Sequence, residues 1–337
     1  MVGFTEEEVR EMLTYYSQHY KFNHTVDELI EIIKPYYDNY CFSEEAYGET
    51  TMYNSNMVLY FLFKYIGNRC RIPGKMLEEN IRVDYNKLRM LIRKDKEFAH
   101  DASIIQTLVS EGFVTGELKE GFPAENIANN DNFLSLLYYF GMVTIGGIYK
   151  GDLKFVIPNE VVREQIFTYL LDTYKDNNLV YDSYDIRGKE QNMAYDGDFK
   201  PFFQYIADSI YTFASQRDRQ KGEAFVHGFT LALTSQCRFY RPISELDNQN
   251  GYADIFLRPR CEIFTDMEHS YIIELKYLKS NATEAEVKAA VAQAETQLCR
   301  YAATVNVNDN IGHTTLHKVY VVYSGVEMVA CEETLSR

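Results

Sequence analysis

The segment Tyr271–Lys279, YIIELKYLK, sets a glutamate and a lysine inside a run that otherwise has the β-branched and aromatic composition of a buried strand. Side chains two apart on a strand share a face, so Glu274 and Lys276 project together while Ile273, Leu275 and Tyr277 fill the other side. Opposite charges on one face of a core strand either neutralise each other or border a cleft that uses both. A second carboxylate has the same context: in GYADIFLRP, Asp254 alternates with Ile255 and Leu257. If these strands are antiparallel neighbours, Asp254 and Glu274 converge on one divalent cation, with the main-chain carbonyl of Leu275 as a third ligand. Hard oxygen donors of this kind suit Mg²⁺ or Mn²⁺. Lys276, facing the same way, is placed to orient or help deprotonate a water at the metal and to offset charge on a phosphorane-like transition state. The chemistry indicated is phosphodiester hydrolysis.

The surrounding segments give these strands an order. GEAFVHGFTLALT reads as a helix, CRFYRPISEL and GYADIFLRP as strands, YIIELKYLK as a third strand, TEAEVKAAVAQAETQLCRYAA as a long helix and KVYVVYSG as a last apolar strand. The sum is αβββαβ. The N-terminal half reads differently, as helices with Tyr, Phe, Leu and Ile stripes. Thr5 with Glu8 and Thr25 with Glu28 form two capping boxes, YNSNMVLYFLFKYIG ends at Gly67, and residues 84–98 read as a charged amphipathic helix. Residues 130–171 read as helix, strand, turn, strand and helix, a winged-helix-like order. That hairpin tip carries only Lys150 and Lys154 as cations and no basic recognition helix precedes it, so packing is the favoured reading over DNA contact. The polar stretch 176–198 marks the expected boundary, giving domains over 1–185 and 186–337.

These residues resemble the PD-(D/E)XK nuclease superfamily, whose pattern is an Asp on one strand and Glu-x-Lys on the next. The resemblance covers about residues 198–330. It implies an α/β, restriction-endonuclease-like core with Asp254, Glu274 and Lys276 as its central site. It further implies a supporting role for Glu223 on the first helix, and a substrate-lining role for Gln293, Gln297 and Tyr301 on the second. More narrowly, the chain is similar to the C-terminal part of bacterial proteins that join an AAA-ATPase-like region to such a nuclease domain, on the strings GFTEEEV, YDNYCF and FLSLLYYFGMVTI…FVIPNEVV. Ala253 stands where Pro is common. No GxxxxGK[ST] phosphate loop is present, since GNRCRIPGKM has the wrong spacing and ends in Met76, so no ATPase site is expected.

Each feature has a plainer reading. Glu-x-Lys also occurs at Glu117–Lys119 in a Gly-flanked loop and at Glu286–Lys288 on a helix; only the third instance lies in a strand with an Asp-bearing strand before it. Asp254, Glu274 and Lys276 could instead be an internal ion pair, Glu223 a partner of the helix dipole, and Gln293, Gln297 and Tyr301 ordinary helix positions. His227 reads as a core or cleft-lining residue. His313 and His317 in HTTLH run into a strand without a third ligand nearby, so zinc is not expected.

Bulk properties narrow the setting. Six cysteines without a CxxC pair suggest neither a zinc ribbon nor a disulfide framework, and a reducing cytoplasm fits best. The longest apolar run, Phe133–Ile145, is too short to span a bilayer. The net charge of −15 opposes loose adsorption to a polyanion, but most of the acidity lies in the first 200 residues, and bound cations reverse the field of clustered acids. The expectation is a Mg²⁺- or Mn²⁺-dependent nuclease acting on DNA, with the helical part positioning substrate or joining a protein partner or second copy. The alternative is an inactive nuclease-like interaction or regulatory module.

Overall fold

The computed structural model describes residues 3–77, 104–105, 107–109, 111–119, 121, 132–176, 182–213, 222–244, 254–302 and 305–334. The amphipathic helix expected over 84–98 lies outside them. The chain divides into two compact units, Met1–Tyr169 and Leu170–Arg337.

In the first unit a short strand β1 (Gly3–Phe4) pairs with β2 (Tyr53–Asn54), and helices α1 (Glu6–His19), α2 (Val26–Tyr37) and α3 (Ser55–Gly67) pack around one core. Both expected capping boxes are present. The Thr5 and Thr25 hydroxyls accept from the Glu8 and Glu28 amides, while those glutamates accept from the threonine amides at 2.8 and 2.7 Å. Apolar residues at helical spacing, Val9 and Leu13, Leu29 and Ile33, Met57, Phe61 and Tyr65, then bury one stripe of each helix. Further along, β3 (Phe113–Gly116), helix α4 (Phe133–Tyr139), β4 (Thr144–Tyr149), β5 (Asp152–Val156) and helix α5 (Glu160–Asp176) follow. The three strands form an antiparallel sheet in the order β3-β5-β4.

The polar run 176–198 contains more order than its composition suggests. Residues Ser183–Asp196 form helix α6, capped by the Asp182 carboxylate at one end and by Gly197 in the left-handed conformation at the other. Ile186, Met193 and Ala194 bury its inner face. On that face Glu190 is only 2% exposed and accepts the Phe239 amide at 2.7 Å; burial pushes its carboxyl up to about 7. Helices α7 (Lys200–Phe213) and α8 (Gly222–Thr234) follow.

The second unit then delivers the expected order: α8, β6 (Tyr240–Ser244), β7 (Ile255–Pro259), β8 (His269–Leu278), helix α9 (Glu284–Ala302), the short helix α10 (Val305–Asn308), β9 (Thr315–Ser324) and an added strand β10 (Glu327–Glu333). The sheet order is β10-β9-β8-β7-β6, with β8 and β9 parallel and the other pairs antiparallel. The parallel pair requires a crossover, which α9 supplies. Phe256 and Ile272 share a core with Ala290, Ala294 and Leu298 of α9. The alternate side chains point the other way, where the Tyr271 hydroxyl donates to the Met193 carbonyl of α6 at 2.8 Å. The sheet is thus covered on both faces.

At one end of β8, His269 and His317 share a hydrogen bond at 2.9 Å, and His317 meets the Glu333 carboxylate at 3.0 Å. His313 binds the Met267 carbonyl at 2.9 Å. Both histidines of HTTLH are therefore engaged in tying strands and loops together. Among the described residues, no helix is long and apolar enough to cross a membrane.

Candidate metal centre

The site begins with strand register. Ile255 of β7 lies opposite Ile273 of β8, so one step outward along the same antiparallel ladder brings Asp254 opposite Glu274. Asp254 stands immediately before β7 rather than inside it. Since Phe256 and Ile272 lie beneath α9, alternation puts Asp254 and Glu274 on that face too. The two acids that the sequence spacing singled out are neighbours across one ladder.

Their partners explain how burial is tolerated. Glu274 is 1% exposed; its Oε1 accepts from Lys276 Nζ at 2.7 Å, while its Oε2 is buried with no hydrogen-bond partner. Asp254 Oδ2 accepts the Leu275 amide at 2.7 Å. The N–H and C=O of one strand residue leave on the same edge, so the Leu275 carbonyl also emerges on the β7 side. Burial first, and then the charge of Asp254, push the Glu274 carboxyl up to about 7 against the opposing hydrogen bond from Lys276. Asp254 is raised chiefly by burial, with His227, the Leu275 amide and Lys276 acting against it and Glu223 reinforcing it. A buried acid whose affinity for protons is raised by a neighbouring carboxylate, and which has one oxygen left without a partner, forms a site that favours added positive charge.

Helix α9 brings a second group to the same place. Tyr301 is 4% exposed, and its hydroxyl is pushed up to about 12 by burial and then by the charges of Glu274 and Asp254, while Gln297 hydrogen-bonds to it. The Gln297 Oε1 is itself buried without a hydrogen-bond partner. Gln293, one turn earlier, is exposed. From α8, Glu223 is exposed, but its charge is felt at Asp254. His227, one turn further along, reaches the Asp254 main-chain oxygen with Nε2 at 3.2 Å. From the sequence alone His227 reads as a core or cleft-lining residue. Its spacing of four from Glu223 was the available signal that both share a helix face.

Among the described residues, no group of three His, Cys, Asp or Glu side chains is gathered to hold a metal ion. The donors at this site are instead two carboxylates and a strand carbonyl, all hard oxygen, a set that fits Mg²⁺ or Mn²⁺ with waters completing the shell. No curated protein and no solved structure matches the chain. Residues 221–333, the span that carries α8, α9 and all five strands of the sheet, match the family model of the PD-(D/E)XK nuclease superfamily.

Proposed function

We propose that the second unit is a Mg²⁺- or Mn²⁺-dependent nuclease whose substrate is DNA. The observation that carries this reading is the buried Glu274, with one oxygen on Lys276 and the other without a hydrogen-bond partner, set across the ladder from Asp254. Asp254, Glu274 and the Leu275 carbonyl would hold the ion, and a divalent ion supplies Lewis-acid polarisation of a phosphate and acidification of water. Lys276 holds an ammonium 2.7 Å from Glu274, where it would orient a water, favour its deprotonation by stabilising the hydroxide charge, and balance charge growing on the phosphate oxygens. The hydroxyl of Tyr301, buried and steadied by Gln297, orients the substrate and excludes bulk water, with Gln293 further out along α9. Glu223 and His227 support Asp254 from α8. The first unit would position DNA or join a protein partner or second copy, as the helical remainder of an AAA-ATPase-like arrangement with a winged-helix-like segment, and a bacterial cytoplasm is the proposed setting.

The test is cleavage of labelled DNA by the full chain. Wild type should cut with Mg²⁺ or Mn²⁺ and stop with EDTA, and Glu274→Gln, checked to be folded by circular dichroism, should be inactive. An inert wild type with either ion, or equal cleavage by Glu274→Gln, would refute the reading. The first of these is what the interaction-module alternative requires.

A further inference from the structure

In the first unit, the β4–β5 hairpin has a composition that its own fold does not require. Tyr149 pairs with Asp152, so Lys150 and Gly151 alone make the turn, and both have positive φ, 54° and 99°. Tight hairpins of this form select Asn or Gly at the first position, because a side chain such as lysine is disfavoured in the left-handed region. A lysine therefore occupies a position where it works against the turn. Lys150 Nζ lies 5.0 Å from the centre of the Tyr149 ring, and Lys154 Nζ lies 4.5 Å from the centre of the Phe113 ring on neighbouring β3. Those rings meet edge to face at 5.2 Å. Tyr149 remains 43% exposed and Ile148 61% exposed. Tyr47, also exposed, lies over Gly147, where an added Cβ would come within 3.1 Å of its ring. Asp152 is the one acid of the hairpin, against two lysines.

We propose that this aromatic and basic face of the β3-β5-β4 sheet binds single-stranded DNA. The rings offer surfaces to unpaired bases and the two ammonium groups meet phosphates, the combination by which single strands are held without base-specific readout. A duplex hides its base faces in the stack and gains nothing from exposed rings. The choice of DNA rests on the substrate proposed for the second unit. The packing reading favoured by the low cation count changes because both lysines lie beside aromatic rings, Lys150 beside the exposed Tyr149 and Lys154 beside the half-buried Phe113.

The experiment is a fluorescence-anisotropy titration of the full chain with a short single-stranded oligodeoxynucleotide, in EDTA so that binding is read without cleavage. Lys150→Gly is the informative variant, because glycine relieves the left-handed turn: its melting temperature should stay level or rise while affinity falls about fivefold or more and the salt slope shrinks by roughly 0.7. Tyr149→Ala should weaken binding about tenfold, in the range reported for lost base stacking. Wild-type affinity in both variants would overturn the proposal, as would tighter binding of duplex, RNA or a polyglutamate control. Cleavage with Mn²⁺ is scored separately, so an inert enzyme that still binds single strands through this hairpin would refute the nuclease reading alone.

Discussion

Lys276→Ala is expected to lower DNA cleavage by about 10²–10⁴-fold, the range for a group that stabilises charge or moves a proton in a transition state, while leaving cation affinity level or slightly higher. The ammonium sits on Glu274 at 2.7 Å, so its removal takes away a competitor for that oxygen as well as a catalytic charge. Stability should fall by less than the roughly 3–5 kcal/mol found when a buried pair loses one member. The reason is that Glu274, already pushed up to about 7, can take up a proton instead of remaining charged. Turnover at saturating substrate, a metal titration and a melting curve on the same variant read these three effects separately. A variant that is destabilised beside an inert wild type would reduce Lys276 to a structural ion pair.

The second large effect concerns Glu190. Its folded value near 7 lies above the ordinary 4.5, so folding favours the protonated form. The carboxyl therefore costs nothing below about pH 4.5, and destabilises increasingly as pH rises through the folded value. At pH 8 the full cost is about 3 kcal/mol. Glu190→Gln keeps an oxygen for the Phe239 amide but never ionises, so its melting temperature should exceed wild type by roughly 5–10 °C at pH 8 and by little near pH 5. The charges of Arg238 and Arg187 act against burial at this carboxyl, and equal melting temperatures at pH 8 would mean that they already stabilise the ionised form fully.

What could be read from the chain beforehand was what depends on short-range periodicity. The alternation in YIIELKYLK and GYADIFLRP placed Glu274 on one face with Lys276 and singled out Asp254, and the Thr-x-x-Glu spacing located the starts of α1 and α2. Helix α6 escaped notice because its buried set, Ile186, Glu190, Met193 and Ala194, is sparse and includes an acid in a segment otherwise polar. His227 could not be assigned because its partner is a main-chain oxygen of a residue 27 positions away. The register that places Asp254 opposite Glu274 was conditional on strand pairing, which sequence spacing alone does not set. The ring contact of Lys154 likewise depends on β3, a strand well before the hairpin in sequence.

The central claim is that Asp254 and Glu274 form one cation site, and calorimetric titration with Mn²⁺ tests it most directly. Wild type should bind one high-affinity ion with release of protons near pH 7, because Glu274, pushed up to about 7, is partly protonated there when no cation is bound. Asp254→Asn and Glu274→Gln should each abolish that binding while the protein stays folded. Binding that survives in both variants, or a wild type that takes up no Mn²⁺, would contradict the account.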